Sequence, residues 1–115
     1  MASSLSASVS APAEQAYFYL GNDLWPILLA AERSESNYAQ SSVADAQYLA
    51  MANGFVAGVA DSQGGVRVCI PSQGVSTSQA RAIVSKFFRD HPENWNLPAA
   101  AIVSVALEKV WPCKR

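Results

Sequence analysis

Apolar residues recur at helical spacing through most of this chain, and this pattern limits the fold more than any other feature of the sequence. The clearest example follows residues 76–79, where Ser-Thr-Ser-Gln forms a capping box that predicts the start of a helix. The apolar residues of this segment recur every three or four positions, which is the spacing of one helical face. They are Ala80, Ile83, Val84, Phe87 and Phe88. Arg81, Lys86 and Arg89 lie off this stripe, and Pro92 ends the helix.

Three other segments show the same period and complete the prediction of an all-α fold. They cover about residues 22–31, 41–60 and 96–111. Pro26 falls in the first turn of the first of these helices, where a missing N–H costs little. The polar residues 32–40 that follow it predict a loop.

Between the second and third helices the pattern changes. Residues 66–70 alternate and are rich in β-branched side chains, which predicts a short extended segment. Because one strand cannot form a sheet, this segment is either a strap across the helices or part of a small hairpin. A length of 115 residues allows one domain. We therefore predict a compact single domain of four or five helices.

The N-terminal residues 1–13 differ from the rest because they are nearly all Ser and Ala. They contain no Lys or Arg and no apolar core, so they do not form an intact signal peptide. We interpret them as a flexible leader, left where Met1 replaced an export signal, and assign residues 14–115 to the helical domain.

Charge is scarce in this sequence. The formal net charge is −1 and 15% of the residues are charged, against about a quarter in an average soluble domain. A nucleic-acid partner would require a basic face, and anionic lipid would require basic clusters. No apolar run reaches the roughly 18–20 residues that span a bilayer. An uncharged surface instead favours a partner protein that covers part of it.

The sequence contains no catalytic, cofactor or metal-binding motif, so we expect neither enzymatic activity nor a cofactor. Cys69 and Cys113 lack the spacing of a zinc site. They form a disulfide if the protein is exported, and remain buried thiols in a reducing compartment. His91 is the only histidine, and we expect it at a helix C-terminus, where a cation is favoured. A catalytic Cys–His pair is the rival interpretation.

Two further features predict packing or recognition. Trp95 lies in a polar turn and is the best candidate for an exposed contact. Gly54 and Gly58 lie four positions apart in a predicted helix, where each costs about 1 kcal/mol relative to alanine. Close helix packing, in the core or across a dimer seam, would offset that cost.

A series of short motifs carries a resemblance to a known family. They are residues 54–61 (GFVAGVAD), 68–71 (VCIP), 74–76 (GVS), 90–93 (DHPE), 97–100 (LPAA) and 111–113 (WPC), with 21–24 (GNDL) at the first helix. In this order and spacing, they resemble the periplasmic immunity proteins that neutralise peptidoglycan amidase effectors of type VI secretion systems.

This resemblance implies an exported, mostly helical and dimeric protein. It would bind a cognate cysteine amidase in the periplasm and occlude its active-site cleft, protecting the producing cell and its kin. Cys69 and Cys113 match the family's cysteines and would be oxidised to a disulfide there. Many relatives carry two further cysteines, where this chain has Leu28 and Ala52, so apolar contacts would replace that second pair.

We predict that the loop after the second helix enters the amidase cleft. It comprises Asp61, Ser62, Gln63, Gly64 and Gly65. Its polar side chains would form hydrogen bonds close to the enzyme's catalytic cysteine and histidine. The alternative is an ordinary solvent-exposed turn. For the whole protein, the alternatives are a small periplasmic acid-stress chaperone and an enzyme that uses one of its cysteines.

Overall fold

Four α-helices account for most of residues 16–114, which are the residues that this computed structural model describes. They are α1 (Gly21–Ser36), α2 (Val43–Ser62), α3 (Thr77–Asp90) and α4 (Ala99–Val110), with short 3-10 turns at Tyr38–Gln40 and Pro92–Asn94. Within these residues β-structure is limited to isolated bridges. The predicted all-α single domain is confirmed. The predicted leader, residues 1–13, lies outside the described residues, and none of the described helices is long and apolar enough to cross a membrane.

Serine side chains cap two of the helices where the sequence predicts it. The Ser42 hydroxyl accepts the Asp45 N–H and starts α2, and the Ser76 hydroxyl accepts the Gln79 N–H and starts α3, both at 3.0 Å. The predicted end of α4 at Trp111 is also confirmed, but the helix begins at Ala99, after Pro98, rather than at Asn96 or Leu97 as predicted.

The start of α1 depends on tertiary contacts. The N–H groups of Gly21 and Asn22 donate to the carbonyls of Leu97 and Trp95 at 2.8 and 2.7 Å. A Cβ at Gly21 would lie 2.7 Å from the Trp95 backbone, so only glycine allows this close approach. The α3–α4 connection therefore supplies acceptors for N–H groups that a helix leaves unpaired at its first turn.

Two predictions about α1 are wrong. The helix continues to Ser36, so most of the predicted loop at residues 32–40 is helical. Since the helix begins at Gly21, Pro26 lies in its second turn rather than its first, and the Asn22 carbonyl receives no helical N–H from it. The polar end of α1 is helical because its charged side chains bond to neighbouring helices, which residue pattern alone does not reveal.

The core lies between all four helices. Its fully or nearly fully buried apolar residues come from each helix and from the segment after α2. They are Leu24, Leu28, Ala31, Ala52, Val56, Ala60, Val68, Ala80, Val84, Phe88, Ala99, Ile102, Val103, Ala106 and Leu107. The cluster includes Leu28 and Ala52, so apolar packing occupies the two positions where the resemblance places cysteines.

Charged side chains connect α1 to its neighbours. Arg81 lies off the apolar stripe of α3, yet it is only 1% exposed. It donates to Asn53 of α2 at 2.9 Å and forms an ion pair with Glu35 of α1. Nearby, Arg89 pairs with Glu32 at 2.7 Å. These bonds join α1, α2 and α3 on one side of the fold.

Candidate interaction surface

The C-terminal end of α2 and the turn after it form an exposed polar surface, which we call the turn segment (residues 61–66). Asp61 and Ser62 belong to the last turn of α2, which corrects the prediction that they are loop residues. The Ser62 hydroxyl and the Gln63 N–H both donate to the Val59 carbonyl, and this extends the helix. Gln63 and the two glycines after it then form the turn.

Backbone hydrogen bonds hold the turn in one shape. The Gln63 carbonyl accepts the N–H groups of Val66, Arg67 and Val68 at 3.0, 3.0 and 3.2 Å. Gly65 has φ +79°, a conformation that favours glycine, and its N–H donates to Val68. Val66 and Arg67 are therefore in the turn rather than in the extended segment predicted for residues 66–70.

The chain after the turn is fastened to the end of α4. Val68 forms an antiparallel bridge with Pro112, and the Cys69 N–H donates to the Trp111 carbonyl at 2.8 Å. This segment is a strap, not the predicted alternative of a hairpin.

Two side-chain links complete the attachment. Arg67 bonds to Glu108 at 2.7 Å. Cys69 and Cys113 are joined as a disulfide, with Cα atoms 4.9 Å apart, as predicted. A covalent bond, an ion pair and backbone bonds thus all anchor the turn segment to α4.

The exposed groups of the turn segment are available for contacts with another molecule. Val66 is 65% exposed, and Asp61 is exposed and forms no ion pair with the described residues. An exposed carboxylate and an apolar side chain lie on a backbone that is already ordered, so binding through them costs little conformational entropy.

Comparison with known sequences identifies the family. The family described as Rap1a immunity proteins matches residues 27–113. This span covers more than half of the chain and includes the turn segment and both cysteines. The chain belongs to the Rap1a immunity protein family. No curated protein sequence matches it.

For this Rap1a family member, the structure does not bring Trp95 to the turn segment. Trp95 precedes the N-terminal end of α4, whereas the turn segment is anchored to the C-terminal end. Its Nε1–H donates to the Phe88 carbonyl at 2.9 Å, and its ring lies 5.2 Å from that of Trp25. Trp95 is half-buried and its donor is already paired, so it is less exposed than its polar sequence neighbours predict. A contact of Trp95 with a partner stays a prediction.

The prediction of close helix packing at Gly54 and Gly58 is wrong for the core. Both glycines are exposed, and a Cβ at either would meet nothing within 4 Å. They lie on the outer face of α2, opposite its buried face. A seam between subunits at these glycines remains a prediction.

The rival Cys–His pair does not form in this Rap1a protein, because both cysteines are in the disulfide. His91 follows the last residue of α3, as predicted, and its Nδ1 lies 3.0 Å from a Glu93 carboxylate oxygen. That hydrogen bond from His91 lowers the pKa of Glu93 below its ordinary value. His91 therefore caps the end of α3 and contacts Glu93 at the surface.

Residue patterns missed Val66 and the pair Arg67–Glu108. The alternation of residues 66–70 predicted that Val66 and Arg67 belong to an extended segment. The signal that could have located them is Gly64-Gly65, because two consecutive glycines allow a turn tight enough to include the next two residues.

Proposed function

We propose that this protein is a periplasmic immunity protein that binds a peptidoglycan amidase delivered by type VI secretion and blocks its active-site cleft. Membership in the Rap1a family supports an immunity role against a type VI effector. The resemblance of the sequence motifs supports a cysteine amidase as that effector. The protein acts by occlusion, so it needs no catalytic group of its own.

The observation that carries this proposal is the anchored, exposed turn segment. An inhibitor that fills a cleft binds best when its inserted part is ordered before binding. Here the Gln63 carbonyl, the Arg67–Glu108 pair and the disulfide fix the backbone on both sides of the exposed Val66. The Asp61 carboxylate lies at the same end of α2 and can accept hydrogen bonds from a catalytic histidine or from backbone N–H groups of the enzyme.

A periplasmic location is consistent with the same disulfide. Disulfides persist in the bacterial periplasm and are rare in the reducing cytosol. Since the Cys69–Cys113 bond fastens the proposed inhibitory surface, the oxidising compartment would be the one in which this surface is complete.

We also propose a second copy of this chain as a partner. The scarcity of charge supports it, and so does the outer face of α2, which no other part of the described chain covers around Gly54 and Gly58. Large uncharged surfaces on a soluble protein indicate interaction sites.

The test of amidase inhibition uses two matched exposed valines, Val66 in the turn after α2 and Val43 at the N-terminal end of α2. Val66→Asp places a charge in the proposed contact, and Val43→Asp places the same charge at a residue that is also exposed, at 76%. The probe is the hydrolase that co-purifies with the tagged protein from the source bacterium, assayed on purified peptidoglycan. We expect Val66→Asp to weaken binding about 10- to 100-fold, and Val43→Asp to leave affinity unchanged.

A second measurement separates occlusion from binding elsewhere. Alkylation of the enzyme's catalytic cysteine should be slowed by the wild-type protein and much less by Val66→Asp. If circular dichroism shows that both variants are folded and they bind the amidase with equal affinity, the role of the turn segment is refuted. Rapid alkylation in a saturated complex would refute occlusion.

A further inference from the structure

Asp61 differs from the other acidic side chains of the described chain, because each of those has a bonding partner within the fold. Asp23 accepts the Leu20 N–H at 2.9 Å. The rest pair with basic side chains, and they are Glu32, Glu35, Asp45, Asp90, Glu93 and Glu108. Asp61 is exposed and is the one acidic residue without such a partner among residues 16–114.

The position of Asp61 in its helix makes this charge unfavourable for the fold. It lies in the last turn of α2, where the unpaired carbonyl groups carry partial negative charge and a carboxylate is repelled. Asp90 occupies the same position in α3, but there Lys86 donates to its carboxylate at 2.8 Å. This hydrogen bond lowers the pKa of Asp90 below its ordinary value. The last turn of α2 contains no basic residue that could do the same for Asp61.

The chain after α2 does not compensate the charge either. The basic residue nearest to Asp61 in the sequence is Arg67, and both its Nε and its Nη2 donate to Glu108, at 3.1 and 2.7 Å. The fold therefore holds an uncompensated carboxylate at the exposed end of α2, beside a turn whose backbone is fixed. A residue that breaks a local rule of stability without a compensating contact indicates a functional position.

We infer that a cationic side chain at the rim of the amidase cleft pairs with Asp61, and that this pair determines which amidases the protein recognises. The inference rests on the proposed function and names the chemistry of the partner at that site. Asp61 has no ion pair within the described chain to break, so the whole attraction is available for binding. An enzyme without the cation would leave the carboxylate desolvated and unpaired, which disfavours the wrong partner. The exposed Val66 in the same turn adds an apolar contact beside the charged one.

The test compares two aspartates that end helices, in the complex with the co-purified hydrolase. Asp61→Asn keeps the shape of the side chain and removes its charge, so affinity at low salt should fall about tenfold, chiefly through slower association. The gap between wild type and this variant should narrow at high salt, because salt screens exposed charges. Asp90→Asn is the matched control and should leave affinity unchanged. Asp61→Glu keeps the charge and should retain most of the affinity.

Thermal unfolding separates a role in binding from a role in the fold. Asp61→Asn should raise the unfolding temperature, because it removes a charge that the end of α2 disfavours. Asp90→Asn should lower it, because it weakens the bond to Lys86. A lower unfolding temperature for Asp61→Asn would show that the carboxylate supports the fold, and would overturn the inference.

The pH dependence of the affinity gap identifies the cation. A gap between wild type and Asp61→Asn that closes as the pH rises above about 7 indicates a histidine of the enzyme, whose ordinary pKa is about 6.5. A gap that persists to about pH 9 and narrows with salt indicates lysine or arginine. A gap that salt does not change would indicate a neutral N–H donor and refute the cation.

The outcomes also separate this inference from the proposed inhibition. If Asp61→Asn binds as tightly as wild type at low salt while Val66→Asp binds weakly, the inference alone is wrong. If the protein inhibits no amidase, the proposed function is wrong and the inference falls with it.

Discussion

Two pairs of helices in this fold are fastened by different means. Charged side chains join α1 to α3, through Arg89–Glu32 and the buried Arg81 with Glu35. Apolar contacts join α2 to α4, and the disulfide connects the strap after α2 with the end of α4. Among the described residues, α4 forms one ion pair with this region, between Glu108 and Arg67 in the turn before the strap.

This difference explains where the surface is free of charge. The chain has few charged residues, and most of those described are engaged in ion pairs around α1 and α3. Residues 46–60 of α2 and the start of α4 are left without charged residues. The two sides should also respond differently to conditions, because exposed ion pairs weaken with acid and salt, whereas a disulfide responds to reductants.

The largest effect should follow removal of the disulfide. Replacing both cysteines, Cys69→Ala with Cys113→Ala, opens a loop with a sequence separation of 44. The chain-entropy relation for a loop of this size gives a loss of about 4 kcal/mol in the free energy of unfolding. Urea unfolding measures it. Dithiothreitol should lower the stability of the wild type to a similar degree and leave the double variant unchanged. Equal stability of the two proteins would show that α2 and α4 do not depend on the covalent link.

On the charged side, Arg81→Ala should have the next largest effect. The variant leaves a cavity and removes the donor to Asn53, so we expect a loss of about 3 kcal/mol. Arg81→Met keeps most of the buried stem and should cost less, because it leaves a smaller cavity than alanine does. Arg33→Ala, which removes an exposed ion pair with Asp45, is the control and should cost below about 1 kcal/mol. A greater loss for Met than for Ala would contradict this explanation.

Local signals predicted most of the fold. The serine caps of α2 and α3 and the stripe from Ala80 to Phe88 depend on residues close in sequence, and the structure confirms them. The length of α1 could not be predicted in this way. Its last turns are polar, and they are helical because Glu32 and Glu35 bond to arginines of α3 more than 40 residues away.

The candidate site was predicted in position but not in detail. Gly64 and Gly65 indicated the turn, and the resemblance indicated the disulfide. The attachment of Arg67 to Glu108 could not be predicted, because it requires the end of α4 to lie beside the turn. Trp95 was placed in solvent because its sequence neighbours are polar, but tertiary packing puts its ring against Trp25.

In α2, two substitutions are expected to stabilise the fold rather than destabilise it, and by a smaller amount. Gly54→Ala and Gly58→Ala should each raise the free energy of unfolding by about 0.5–1 kcal/mol, since alanine favours helix and a Cβ there meets nothing within 4 Å. Gly21→Ala is the control and should destabilise, because its Cβ would meet the Trp95 backbone. Thermal unfolding at low protein concentration measures all three. A Gly54 or Gly58 variant that also weakens the dimer would show that the partner covers this face.

The smallest expected effect is a pH dependence of the free energy of unfolding, contributed by Glu35 where α1 contacts α3. Hydrogen bonds from Ser78 and Arg81 hold the pKa of Glu35 below its ordinary value of 4.5. A carboxylate with a lowered pKa in the folded state stabilises the fold above its unfolded value, and this contribution is lost as the pH falls through the folded pKa. Wild type should therefore exceed Glu35→Gln in stability at neutral pH, with the gap closing below pH 4.5.

The gap in stability between the two proteins should be small, because the Glu35 side chain is 44% exposed and glutamine can still accept a hydrogen bond from Arg81. Urea unfolding of both proteins across this range measures it, and a gap that stays constant into acid would show that the Arg81–Glu35 link does not depend on charge.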